Sequence, residues 1–291
     1  MGLPFLAMVV VNVVNMVLSW TLVFGPGPLG GHGVGGIAAG TVTGWVAGLL
    51  TTVVMLGRGR EAGLHWARAS LKPHWETMVR ILRVGAPQSL EIAVMWAIHA
   101  YGIRVIAGLN DPGALGAHIL AIRVESMSFL PGFAIATAAA TLAGQYLGAG
   151  SKPLAVRAVR MSWALAAGLM SLMGVFFVLG RYQLIGWMAP DSALHLRLAV
   201  PLLLVCAMAQ PFFATCIILK TSMRGVGATG TVMRWSFGSM IFYRIGVLWW
   251  LSRSGMLSLT LVWIVLSLDL VTQAVIFTRL HLRGRWLDAR V

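Results

Sequence analysis

Charged side chains are scarce in this chain: 10% of its 291 residues are Asp, Glu, Lys or Arg, against 58% hydrophobic, with a mean hydropathy of +0.85. A soluble domain averages roughly 25% charged residues, so this chain cannot build a polar shell in water. Lipid must be its main solvent. Acids are scarcer still, 8 Asp and Glu against 22 Lys and Arg, giving a formal net charge of +14. Only two cysteines occur, Cys206 and Cys216, in one apolar run. On one helix that spacing is roughly 15 Å of rise, while a disulfide needs Cα atoms within about 7 Å. They read as free, buried thiols. A basic n-region and a cleavage site are also lacking ahead of the first apolar run, which therefore reads as a span rather than a signal peptide.

What is present is a series of long apolar runs. A helical span needs about 20 mostly apolar residues, and candidates cover 4–24, 32–56, 84–108, 116–140, 157–180, 194–219, 231–251 and 257–279. Gly- and Pro-bearing breaks separate them: GPGPLGGHG, LNDPGALG, QYLGAGSKP, WMAPDS, MRGVGATG and SRSG. The fold class is all-α and polytopic, with about eight transmembrane helices.

The basic residues sort by side. One set of alternating loops holds Arg58, Arg60, Arg68, Lys72, Arg80, Arg83, Lys152, Arg157, Arg160, Lys220, Arg224 and Arg234, and the tail adds Arg279, Arg283, Arg285 and Arg290. The opposite loops hold Arg181, Arg197 and Arg253. By the positive-inside rule both termini are cytoplasmic, in a cell inner (plasma) membrane. The positive charge is thus a topology signal with affinity for anionic lipid. Nucleic acid is not an expected partner, because no basic face with aromatic or groove-reading residues emerges.

The stretch EAGLHWARASLKPHW (61–75) is too polar to span, yet mixes Leu64, Trp66, Leu71 and Trp75 with basic residues. It reads as an interfacial helix or an irregular linker, and as the boundary between two bundles.

Several motifs are similar to those of the multidrug and toxin extrusion (MATE) family. LGAHILAIRVESMSFLPGFAIATAAATLAGQYLGAG (115–150) resembles a family span with a central Pro leading into a G-Q-x-L-G-A-G turn. RVGAPQSLE (83–91) resembles the opening of the seventh of twelve spans, and KTSMRGVGATGT (220–231) the R-G-x-G-x-T loop between spans ten and eleven. The run NVVNMVLSWTLVFGPGPLGGHGVGGIAAGTV resembles span five and its turn into span six. The resemblance implies two six-helix lobes, of which this chain holds the last two spans of the N-lobe (1–60), a cytoplasmic linker (61–77) and the six-span C-lobe (78–291). It implies that spans one to four are missing, by truncation or a misassigned start.

Intramembrane acids are default functional candidates, since a carboxylate at mid-membrane costs roughly 2.5–3.5 kcal/mol on insertion scales. Glu125 falls near the middle of the fourth span. It reads as an ion-coupling group, or as a fixed partner of Arg104 or Arg123. Glu91 follows Pro87 in the third span and shares a helical face with Met95 and His99. It reads as facing a cavity, or as partly solvated near the cytoplasmic end. The resemblance puts the family's seventh-span Glu at Met95, one turn later. Asp269 lies in SLDLVTQ with Gln273 one turn on, as a coupling group or as a structural partner of Arg244. The family's tenth-span Asp is absent, with Phe213 near its place.

Met95, Trp96, His99, Arg123, Phe213 and Asn12 are possible cavity lining. Asn12 and Asn15 either face one cavity or bond across helices. His99 and His118 show no metal-ligand grouping. GHGVGG (31–36) has the form G-x-G-x-x-G, but without a βαβ unit it is a loop entering a membrane helix.

The resemblance implies secondary active efflux of drugs or other organic, often cationic, solutes. The coupling ion is H+ or Na+, the mechanism alternating access of two lobes, and no cofactor is needed. Alternatives are a flippase for lipid-linked sugars, with Arg104, Arg123 and Arg244 supplying a cationic cavity, or a nonfunctional fragment. An enzyme is not expected, because no nucleophile–base–acid set or metal site emerges.

Overall fold

The computed structural model describes residues 2–27, 30–57, 73–109, 111–190 and 192–288, the side chains at positions 2, 3 and 84 excepted. The chain divides into two compact units, Met1–His74 and Trp75–Val291. The expected interfacial helix falls largely on 58–72, outside the described residues; Trp75 itself opens a membrane helix.

The first unit is a helical hairpin of α1 (Gly2–Phe24) and α2 (Gly33–Gly57). Both are apolar throughout, as lipid-solvated helices must be. Close packing, rather than water, holds them together. The buried residues of α2 are Gly36, Gly40, Gly44 and Gly48, one every four residues along a single face. A Cβ on Gly40 would come within 2.3 Å of Ser19 Oγ, and one on Gly44 within 2.8 Å of the Val11 carbonyl. Asn15 Nδ2 donates across this seam to Thr41 Oγ1 at 3.2 Å. Gly31 and Gly33 take left-handed φ of 79° and 50° ahead of α2, so GHGVGG is the helix-entering loop expected of it.

The second unit contains α3 (Trp75–Ala107), α4 (Ala114–Gly148), α5 (Lys152–Met188), α6 (Ala193–Gly225), α7 (Thr229–Met240), a π-helical segment (Ile241–Val247), α8 (Leu248–Arg253), α9 (Leu259–Arg283) and a 3-10 turn (Arg285–Asp288). Helices α1 to α6 and α9 are each long and apolar enough to cross a membrane. The expected span 231–251 is not one α-helix. It is α7, the π segment and α8 in unbroken succession, and α7 is too polar (TGTVMRWSFGSM) to be a simple apolar rod. Helices α3, α4 and α5 run longer than their apolar cores, because polar turns at their ends continue the same backbone bonding.

Local signals set the ends. Ser192 and Ser258 cap α6 and α9, their hydroxyls accepting from His195 N–H (3.3 Å) and Leu261 N–H (3.2 Å). Helix α9 ends at Gly284, with φ of 71°.

The core of this unit is α4, α5 and α6. The buried face of α4 is Ala117, Ala121, Val124, Ser128, Gly132, Ala136, Ala139 and Ala143, at three- and four-residue spacing. These small residues let the neighbours in: a Cβ on Gly132 would meet Met170 Sδ at 2.8 Å. Helix α6 is the most enclosed, with Leu202, Leu203, Ile218 and Leu219 fully buried.

Overpacking of the α1–α2 seam tests this account. Cysteines placed at Asn15 and Thr41 should form an oxidative crosslink in the parent chain. Adding Gly40→Val should abolish it, a strain of about 1–3 kcal/mol forcing the helices apart. Undiminished crosslinking would contradict the close-approach reading.

Candidate functional site

Three carboxylates lie away from the ends of the membrane helices of the second unit, and their surroundings differ. Asp269, on α9, is fully buried and meets three donors. Arg244 Nε donates to Oδ2 at 2.6 Å, Ser239 Oγ to Oδ1 at 2.5 Å and Gln273 Nε2 to Oδ1 at 2.8 Å. Gln273 follows Asp269 by one helical turn, Ser239 closes α7, and Arg244 sits in the π segment. The structural Asp269–Arg244 pair is therefore formed.

Glu91, on α3, is 5% exposed. Its Oε1 takes Arg224 Nη2 at 2.5 Å and lies 3.4 Å from Lys220 Nζ. This corrects the reading of Glu91 as a partly solvated carboxylate. Lys220 and Arg224, read from sequence as loop cations, are instead inside α6, one turn apart on one face. Lys220 Nζ also donates to Gln273 Oε1 at 3.1 Å. Arg224, Glu91, Lys220, Gln273, Asp269 and Arg244 thus form one polar chain linking α3, α6, α9 and the π segment. Among the described residues, Glu91 Oε2, Arg224 Nε, Ser222 Oγ and Ser236 Oγ on α3, α6 and α7 are buried without a hydrogen-bond partner.

Glu125, on α4, is half-buried. It makes no ion pair within 4.0 Å among the described residues. The expected alternatives, Arg104 and Arg123, are not its partners; Arg123 points outward, as a residue two positions away on a helix should. Cys206 on α6 stands within hydrogen-bonding reach of Glu125. Cys206 in turn accepts from Gln210 Nε2 at 3.1 Å, and Gln210 Oε1 accepts from Ser128 Oγ. Glu125 and Ser128 on α4 thus face Cys206 and Gln210 on α6 in one polar patch. Ser128 and Gln210 are fully buried.

The possible lining residues do not gather there. Met95 and Trp96 are 42% and 63% exposed. His99 is half-buried with its ring edge-on to Trp96 at 5.8 Å. Phe213 packs against Phe129 at 6.0 Å. In the first unit Asn12 bonds its own helix, Nδ2 to the Met8 carbonyl at 2.8 Å, so of the two asparagines only Asn15 bonds across helices. His118 Nδ1 accepts from Trp263 Nε1 at 3.1 Å, a packing role. Among the described residues no three His, Cys, Asp or Glu side chains converge to hold a metal ion.

Sequence reasoning missed Lys220, Arg224, Cys206, Gln210, Ser128 and Ser239. The i, i+4 spacing of Lys220 and Arg224, and of Cys206 and Gln210, was a usable sign of shared faces. Nothing local identified the helix opposite.

Residues 87–250 match the MatE family. The chain belongs to the MATE family. The family consists of transporters, not enzymes, and this MATE chain is a multi-pass membrane protein. It is 27% identical over 287 residues to the probable multidrug resistance protein NorM of Thermotoga maritima, covering 97% of this chain and 60% of that protein. The NorM relative of Brucella suis is 28% identical over 222 residues, covering 74% of this chain and 46% of that one. This MATE chain thus spans about half to three fifths of the length of these curated relatives. Its fold is that of a MATE transporter crystallised in a straight conformation (TM-score 0.84, 19% identity, 98% of this chain and 63% of that one). A MOP-superfamily transporter of Pyrococcus furiosus is similarly close (TM-score 0.81, 18% identity, 98% and 63%).

The buried Asp269–Arg244 pair yields a prediction. Arg244→Gln leaves a dehydrated carboxylate without its cation and should destabilise the protein by about 3–5 kcal/mol. Arg244→Gln combined with Asp269→Asn removes both charges and should recover most of that loss. Thermal unfolding in detergent measures both; equal stability of the single and double variants would refute the pairing.

Proposed function

We propose that this MATE protein takes part in secondary active efflux of organic, often cationic, solutes, driven by H+ or Na+ entering, with Glu125 as the coupling carboxylate. One observation carries this reading. Of the three intramembrane carboxylates, Glu91 and Asp269 are already neutralised by Lys220, Arg224 and Arg244, and of these three only Glu125 has no ion pair among the described residues. A half-buried carboxylate next to a thiol can gain and lose a small cation, whereas one already held by a fixed cation cannot do so without breaking that pair.

In this reading the working transporter is a twelve-span protein rocking two lobes about a central site. The chain described here supplies eight spans, with both termini on the cytoplasmic side of the inner membrane. The exposed Met95 and Trp96 suit a surface that meets flat lipophilic cations through soft packing and cation–π contacts.

The flippase reading is less well supported. It needs Arg104, Arg123 and Arg244 in one cationic cavity. Arg104 lines an open cleft of about 470 Å³ with Tyr101, Ser252 and Leu257, and neither Arg123 nor Arg244 lines it. Arg244 is held by Asp269.

The test is transport by this chain co-expressed with the four N-terminal spans of the Thermotoga maritima relative. Glu125→Gln should abolish pH- or Na+-driven efflux of a dye cation while leaving protein yield unchanged. Glu91→Gln should lower yield and thermal stability instead. Efflux that survives Glu125→Gln with its ion dependence intact would sink the proposal.

A further inference from the structure

The cleft of about 470 Å³ that holds Arg104 opens between the end of α3 and the α8–α9 turn. Its polar side chains are Tyr101, Arg104 and Ser252, and Val105, Leu109 and Leu257 give it apolar walls. The side chains of Tyr101, Arg104 and Ser252 make no hydrogen bond or ion pair with the described residues. One cation and two hydroxyls therefore meet in one cleft with all their donors unspent. We propose that this cleft binds the phosphate of an anionic phospholipid headgroup.

Helical spacing builds the first wall. Tyr101, Arg104, Val105 and Gly108 recur at three- and four-residue intervals, so one stripe of α3 faces the cleft. The second wall is a turn. Gly255 takes a left-handed φ of 71° between α8 and α9, a conformation that glycine adopts without strain, and Ser252 and Leu257 flank it on the same cleft. Among the described residues that line the cleft, only Arg104 carries a charge. Asp111, the nearest acid along the chain, is turned to its own loop, its Oδ1 accepting from Gly113 N–H at 3.2 Å. The cleft is thus positive, and its volume falls within the roughly 300–1,000 Å³ of small-molecule sites.

A phosphate suits this donor set. A guanidinium fork matches two of its oxygens, and the hydroxyls of Tyr101 and Ser252 can donate to the others. A cationic solute is repelled by the same guanidinium, so the cleft stands apart from the efflux route proposed above. The rim points to lipid as the source of the phosphate. Trp249 lies three residues before Ser252 on the same side of α8, and Trp249, Trp250 and Ile103 are exposed. Exposed tryptophans at the end of a membrane helix belong at the headgroup level. Arg253 lies over the Trp249 ring at 5.6 Å, a second cation on the rim. A basic pocket between transmembrane helices, bordered by apolar surface for the acyl chains, is what an anionic headgroup requires.

The experiment measures how fast N-ethylmaleimide modifies a cysteine placed in the cleft by Leu257→Cys. It uses the purified 291-residue chain in lipid nanodiscs, with the modified peptide quantified by mass spectrometry. Cys206 and Cys216 are buried and react slowly. Met256→Cys, at an exposed position that does not line the cleft, corrects for the charge of the lipid surface. Relative to that control, phosphatidylglycerol should slow the cleft cysteine about fivefold compared with phosphatidylcholine, whose choline cation offsets its phosphate. Arg104 is exposed, so Arg104→Gln leaves the bundle folded, and it should remove the protection. Arg253→Gln, outside the cleft, should keep it. Equal rates in the two lipids overturn the proposal, as does protection that survives Arg104→Gln. Loss of protection with Arg253→Gln also overturns it, since general surface charge would then suffice. Inorganic phosphate added to phosphatidylcholine discs should protect nothing; protection equal to that of the lipid would overturn the lipid assignment in favour of a soluble anion.

Discussion

A charge inside this bundle has no water to answer it, and the polar chain through the second unit follows from how its few acids are answered. Asp269 is the clearest case. It has no exposed surface, and its two oxygens receive an arginine, a hydroxyl and an amide from the π segment, α7 and α9. Each donor fixes the position of the element that carries it. Gln273 then passes the constraint to Lys220, and Lys220 to Glu91, so α3 and α6 are held to α9 by one string of bonds. Lipid supplies no hydrophobic force between helices, and such bonds must share the work with packing.

Packing makes the bonds possible. Glycine and alanine on α4 admit the side chains of α5 and α6 to within van der Waals contact. At that separation short polar side chains reach across the seam: Ser128 bonds Gln210, and Glu125 stands against Cys206. A bulkier face on α4 would hold α6 too far away for either contact. The small-residue stripe and the polar patch are therefore one feature. The same logic in α2, without any charge, lets Asn15 bond Thr41 across the seam.

How much of this the sequence discloses depends on the range of the interaction. The spans were legible, because apolar length is local and lipid allows few alternatives to helix. So was the Asp269–Arg244 pair, since the two residues lie near the middles of neighbouring spans. The partners of Glu91 were hidden by a good rule misapplied: Lys220 and Arg224 counted as loop cations for sidedness, yet the helix continues past them and turns them inward. The partner of Glu125 was hidden differently. Cys206 lies 81 positions away and carries no charge to advertise it. The π segment was illegible in kind, for IFYRIGV has the apolar character of any span.

The charge count decides which acid is free to work. Three cations, Lys220, Arg224 and Arg244, form ion pairs within these helices, where three carboxylates stand away from the helix ends. Equal numbers suggest three closed pairs, but the geometry distributes them unevenly: Glu91 takes two cations, Asp269 one, and Glu125 none. A bundle built for rigidity alone would gain by evening this out, because an unanswered carboxylate in lipid is costly. The imbalance persists because Glu91 lies opposite Lys220 and Arg224, one turn apart on α6, and neither can reach α4 without abandoning it. What remains for Glu125, in the coupling role proposed for it, is an ion from outside. The fixed pairs and the free acid are thus not separate features: locking two carboxylates is what leaves the third one cation short, and in the coupling role proposed for Glu125 an entering H+ or Na+ fills that shortage.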